Sequence, residues 1–139
     1  MSPKSIVIAV GVLLVMDVAG AAISVSAGLN AGFLEALGPT ARLSAPLPMM
    51  AAQIVLVFAV TRDRRAVAIP AAALLVVAGV LAFVSGFYDG GYAAELTTGQ
   101  RAYQVALVTG HLALSVIAAV RLVRLVSGVA PIRRPGSGS

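Results

Sequence analysis

Residues 5–27 read SIVIAVGVLLVMDVAGAAISVSA, an unbroken apolar run except for one acid, Asp17. An α-helix needs about 20 apolar residues to cross the roughly 30 Å hydrocarbon core of a bilayer. A membrane-crossing strand would need only about 10, with alternating polarity, and no such alternation is present. The signature recurs at residues 43–61, 66–86 and 102–122; the third run carries no charge, and the fourth carries only His111 until Arg121 at its end. The expected fold is therefore all-α, an integral membrane four-helix bundle over residues 1–126. The remainder, residues 127–139, is rich in Pro, Arg, Gly and Ser and is expected to be a disordered basic tail whose Gly-Ser-Gly-Ser end has the make-up of an appended linker.

Composition supports this class. Of 139 residues, 60% are hydrophobic and 11% charged, against about 45–50% and 25% in soluble domains. The length suits one domain. With no cysteine and one histidine, disulfides, thiolate sites and histidine-rich metal clusters are excluded. The first segment has one competing reading as a cleaved signal peptide, because Lys4 precedes it and Val25-Ser-Ala27 resembles a cleavage site. Its apolar stretch is long for that role and contains an acid.

Charge placement predicts the orientation. Lys4 precedes the first segment, Arg62, Arg64 and Arg65 fill the turn between the second and third, and Arg121, Arg124, Arg133 and Arg134 close the chain. Only Arg42 and Arg101 lie in the opposite loops, beside Glu35, Asp89 and Glu95. By the positive-inside rule both termini are cytoplasmic, and the location is the cytoplasmic (inner) membrane, multi-pass. The net charge of +5 is then a topology signal rather than a sign of nucleic-acid binding, with a secondary attraction of the C-terminal arginines to anionic lipid. Tyr88 and Tyr92 sit where interfacial aromatics are expected. Pro39, Pro46 and Pro48 cluster where the second helix should begin, the place where a missing backbone donor costs least.

A charge at membrane depth costs about 2.5–3.5 kcal/mol on insertion scales, so each polar residue there needs a reason. Asp17, Gln53 and His111 each fall within one residue of the midpoint of their segment. Helical spacing puts Asp17 on a face with Gly20, Ala21 and Ser24, Gln53 with Met49, Met50 and Val57, and His111 with Gln104 and Ser115. Turning all three faces inward lets the polar groups partner one another instead of lipid. Asp17, Gln53, His111, Gln104 and Ser115 are thus the expected proton- or ligand-binding residues, with Asp17 and His111 able to titrate as a pair. The competing reading is a hydrogen-bonded lock that sets helix register, a modest gain at about 0.6 kcal/mol per interhelical bond. Gly20 and Ser24, and Ala78, Ala82 and Gly86, form small-residue stripes suited to close helix contact, within the bundle or between copies.

Other features are less specific. A haem on His111 would need a second axial ligand from Met16, Met49, Met50 or a second copy's histidine, so no cofactor is expected. Asn30 and Glu35, and Asp89, Tyr92, Glu95, Gln100, Arg101 and Tyr103, sit in or beside the outer loops, where a pocket mouth and a solvated loop read alike. No phosphate loop, catalytic triad or paired-carboxylate motif is present.

Leu14-Val-Met-Asp17-Val-Ala-Gly20-Ala resembles the first-helix signature of the small multidrug resistance transporters, in which an acid, a valine and a glycine stand at mid-membrane. In that family four short helices dimerise and the acid exchanges protons for a hydrophobic cation. The resemblance implies this role for Asp17, beside Val18 and Gly20. Ala21 replaces the family's threonine, the chain has no Trp, its loops are longer, and its charge bias opposes an inverted dimer. The functional expectation is a small membrane protein with a polar midplane site, a proton-linked carrier or binder of a small hydrophobic or cationic molecule. Asp17 would be the proton or cation site, His111 its partner and Gln53 a ligand contact. The alternatives are a non-catalytic accessory subunit of a larger membrane complex and a membrane enzyme acting on a lipidic substrate; the expected partners are the bilayer and either further copies of the chain or a larger membrane protein.

Overall fold

The computed structural model of the protein describes residues 3–88 and 96–128. Among them every regular element is an α-helix: α1 Pro3–Ser26, α2 Phe33–Ala36, α3 Leu47–Val60, α4 Arg65–Tyr88 and α5 Thr98–Val126. Three of these, α1, α4 and α5, are long and apolar enough to cross a membrane. At 1.5 Å per residue they span about 36, 36 and 43 Å. Asp89, Tyr92, Glu95 and the tail lie outside the described residues.

Two helix starts differ from the sequence expectation, and the last helix also runs on to Val126, past the expected end at 122. The second long segment was expected from residue 43 but turns helical only at Leu47. Pro46 is the N-cap residue in extended conformation, with φ −60° and ψ 144°, and the residue before a proline is itself pushed away from helix. That leaves α3 with 14 residues, about 21 Å, too short by itself to span the hydrocarbon core. In the other direction, α5 begins at Thr98 rather than 102. Thr97 and Gln100 form a capping box, the Thr97 side chain accepting from Gln100 N and the Gln100 side chain from Thr97 N. This satisfies two of the donors that a helix start leaves open.

The principal helix contacts run α1–α3–α4–α5 and back to α1, a closed cycle. Its register follows from the glycines. A Cβ on Gly86 would meet Val108 and one on Gly79 would meet Ser115 and the His111 carbonyl. Seven residues down α4 match seven up α5, so the two are antiparallel. Likewise Gly20 lies against Tyr103 and Gly110 against Leu13, making α1 and α5 antiparallel. The interior is built from Ile6, Val10 and Leu13 of α1, Val57 and Val60 of α3, Leu75 of α4 and Leu114 of α5. Val15, Phe58, Leu81 and Val123 point outward, each more than 60% exposed, while Asp17, Ser24, Gln53, His111 and Ser115 are buried. Apolar outside with polar inside inverts the soluble pattern.

The connection from α1 to α3 folds back over the helix ends. Ser24 Oγ donates to Asn30 Oδ1 at 2.6 Å, Asn30 Nδ2 to the Thr40 carbonyl at 3.4 Å, and Leu47 N to the Leu37 carbonyl at 2.8 Å. Ala36, Leu37 and Ala45 pack with Ala21 and Met50 in a second apolar cluster. Asn30 is a buried staple here, and the Glu35 carboxylate accepts from Ala31 N.

Candidate functional site

Asp17 is fully buried on α1. Gly20, one turn on, has no side chain, and the Leu43 carbonyl passes so close that a Cβ at Gly20 would lie 1.7 Å from it. This approach carries residues 43–46 against α1, where Ala45 N donates to Asp17 Oδ1 at 2.7 Å. Non-helical backbone at membrane depth is tolerated only when buried in protein with its polar groups satisfied, and the carboxylate does this for the Ala45 amide. The carboxylate also sits beside the start of α3, the positive end of that helix. Its second oxygen, Oδ2, is buried without a hydrogen-bond partner.

His111 lies on the opposite wall, 3% exposed. Its Nδ1 is 3.0 Å from the Leu107 carbonyl. A carbonyl only accepts, so Nδ1 carries the hydrogen, and Nε2 of the neutral ring presents a lone pair. That Nε2 is buried and has no partner. One turn further on, Ser115 Oγ donates to the Val76 carbonyl at 2.8 Å, an α5-to-α4 tie that Gly79 makes room for. No hydrogen bond joins Asp17 and His111, since the open atom of each has no partner. The direct partner of the carboxylate is the Ala45 amide. Tyr103 ties α5 to α1 by donating its hydroxyl to the Met16 carbonyl.

Gln53 is 1% exposed, and neither its Oε1 nor its Nε2 has a partner. It falls on the buried face of α3 with Met50, Val57 and Val60, as its spacing predicts; Met49 is only half-buried.

Beside these residues lies a cavity of about 250 Å³. His111, Gln104, Leu107 and Val108 of α5 form one wall, Ala82, Ser85 and Gly86 of α4 another, and Arg42, Ser44, Ala45 and Pro46 of the connecting segment a third. Met49 closes the α3 side. The segment 43–46 thus has Asp17 behind it and the cavity in front. His111 and Gln104 were expected from their spacing. Arg42, Ser44 and Ser85 were not, because only the break before Leu47 brings residues 42–46 inward; Pro46 and Pro48 were the available signal. Asp17 and Gln53 are not among the lining residues.

The arrangement leaves His111 Nε2 buried without a partner at the side of a cavity with room for a molecule of modest size. Among the described residues no group of three or more His, Cys, Asp or Glu is placed to bind a metal. No protein family, curated protein or solved structure matches the chain.

Proposed function

We propose that the protein is a four-crossing helical bundle of the cytoplasmic membrane, both termini inside, that binds or carries a small hydrophobic molecule in a proton-linked manner. The topology is supported by the helix directions. Both α1 and α4 run antiparallel to α5, so they run parallel to one another, and a chain that crosses in α1 and again in α4 must return between them. The return path is α3 plus the non-helical residues 43–46, bent at Leu43 and Ser44. The helix gives about 21 Å at 1.5 Å per residue, and four further residues add at most about 13 Å at 3.3 Å each. Their upper limit together reaches the hydrocarbon thickness of about 30 Å.

The observation that carries the functional reading is the set of open atoms. Asp17 Oδ2, His111 Nε2 and both amide atoms of Gln53 are buried without partners, on three helices, next to a cavity that His111 lines. A register lock would mate these groups, since buried polar atoms are nearly always satisfied. Groups left open at this depth are placed for a proton and a ligand. His111 is the proton site, Asp17 holds segment 43–46 through the Ala45 amide, and Gln53 completes the polar layer. Gly20, Gly79, Gly86 and Gly110 all face atoms of this same chain, which favours self-contained packing over docking to a larger partner.

The lone histidine makes the test direct. In nanodiscs, one imidazole gives one pair of nitrogen resonances. The expected result is a pair of ring resonances that responds to pH, with that response altered in Asp17→Asn. An imidazole that holds one state throughout, in both proteins, removes the proton-linked reading. Single cysteines, possible because the chain has none, test the topology: Thr40→Cys should react from outside, and Ser127→Cys and Asp63→Cys from inside.

A further inference from the structure

The helix ends that carry most of the basic residues meet on one face. Lys4, in the first turn of α1, shares a groove with Thr61 at the end of α3, and a short turn joins α3 to α4. Arg65 at the start of α4 reaches the far end of α5, its Nη1 3.7 Å from where a Cβ on Gly128 would sit. Among the described residues this face also gathers Arg62, Arg64 and Arg121, against one acid, Asp63, which stands between Arg62 and Arg64. Because α1 and α4 are apolar enough to cross a membrane, their ends lie at the level of the lipid headgroups.

The groove between α1 and α3 measures about 480 Å³ and is lined by Lys4, Val7, Ile8 and Thr61. Val7 and Ile8 follow Lys4 by three and four residues, so one helix face presents an ammonium and, about 5 Å deeper, two aliphatic side chains. Val7 is 47% and Ile8 65% exposed. The Thr61 hydroxyl donates to the Phe58 carbonyl, which leaves the Lys4 ammonium as the lining group that can donate to an anion. Among the described residues no carboxylate lines the groove. We propose that this groove binds one anionic phospholipid, its phosphodiester on Lys4 and one acyl chain along Val7 and Ile8. The proposal needs the membrane setting but not the proton-linked reading, and it concerns a different place from the cavity beside His111. The order of groups selects the class. A free phosphate would use only Lys4, and a zwitterionic lipid carries its own cation beside the phosphate. An anionic lipid uses both the charge and the apolar wall, and the surrounding arginines add to its attraction. An apolar cavity of about 150 Å³ takes benzene, so at that density 480 Å³ corresponds to about 20 non-hydrogen atoms. That is room for a glycerophosphate and the upper part of one acyl chain.

The test is native mass spectrometry of the whole protein released from nanodiscs that hold equal amounts of phosphatidylglycerol and phosphatidylcholine with matched chains. One phosphatidylglycerol should be retained per protein, at least about fivefold over phosphatidylcholine, the worth of a single basic residue at an anionic surface. Lys4→Gln should lower this retention about fivefold. Arg64→Gln removes the same charge from the same face but outside the groove, and should change it by less than about twofold. Ile8→Trp fills the apolar wall without altering charge and should expel the lipid. Val123→Trp, at an outward position of α5 that is 63% exposed, should not. If Lys4→Gln does not insert, the two tryptophan variants decide alone. Equal retention of the two lipids, or full retention in Ile8→Trp, overturns the site. Equal losses in Lys4→Gln and Arg64→Gln overturn it too, leaving a diffuse basic belt. Displacement of the bound lipid by glycerophosphoglycerol, the headgroup without chains, overturns the lipid assignment in favour of a free phosphodiester.

Discussion

Replacing Gly20 with alanine probes the contact on which the site depends. The new Cβ would sit 1.7 Å from the Leu43 carbonyl oxygen, 2.8 Å from its carbon and 3.1 Å from Tyr103 Cε1. Reaching even 3.0 Å requires the carbonyl to retreat by about 1.3 Å. Leu43 is fully buried, so the backbone has no easy direction in which to move. Two residues along, the 2.7 Å bond from Ala45 N to Asp17 would lengthen beyond hydrogen-bond range. Overpacking costs about 1–3 kcal/mol, and a buried donor and carboxylate left apart cost about 1–3 kcal/mol more. We expect Gly20→Ala to lose about 2–6 kcal/mol in all, read by equilibrium unfolding in bicelles, with faster hydrogen exchange at the Ala45 amide. Gly11 is the internal control. It lies on the same helix with nothing within 4 Å of an added Cβ, and alanine there should be neutral or stabilise by up to about 1 kcal/mol. Equal stability of the two variants, with Ala45 still protected, would refute the close-approach argument.

Further outcomes follow from the same geometry. Gly79→Ala places a Cβ 2.2 Å from Ser115 Oγ and 2.6 Å from the His111 carbonyl, so it should separate α4 from α5 and destabilise more than Ser115→Ala. The latter removes one interhelical bond and should cost about 0.6 kcal/mol in the same unfolding assay. Gln53→Met exchanges an unpartnered buried amide for an apolar chain of similar size and should be neutral or stabilising; a large loss of stability would mean that the amide has a partner. Thr97→Ala removes the side-chain acceptor of the capping box, costs about 1 kcal/mol, and should speed hydrogen exchange at Gln100.

Much of the interior was legible because the bilayer penalises polarity so heavily that each exception stands out. Asp17, Gln53 and His111 were visible for that reason, and all three are buried. What they bond to was not visible. Helical spacing describes side chains on helices, whereas the carboxylate of Asp17 is met by a backbone amide in a stretch that is not helical. An apolar run from 43 to 61 gives no periodic sign of where extended chain becomes helix, and only Pro46 and Pro48 mark it. The Thr97–Gln100 capping box was in plain sight but lay outside the apolar window used to set the helix start. Gly79 was hidden among small residues of α4 where the stripe Ala78, Ala82 and Gly86 drew attention; Gly79 itself meets Ser115, and Ala82 faces the cavity.

The brevity of α3 reaches into the lipid. In the proposed four-crossing arrangement, annular lipids beside α1 and α4 would meet apolar helices longer than 30 Å, while those beside α3 would meet about 21 Å of helix preceded by the bent residues 42–44. Matching such an uneven rim thins the leaflet on one flank only, at a fraction of a kcal/mol per ångström of mismatch. Pro46 and Met49, at the head of α3, also border the cavity. The thinned flank and the cavity wall are therefore the same place, and acyl-chain length becomes a physical control on the protein: thicker bilayers strain the segment between Leu43 and Leu47, and thinner ones relax it.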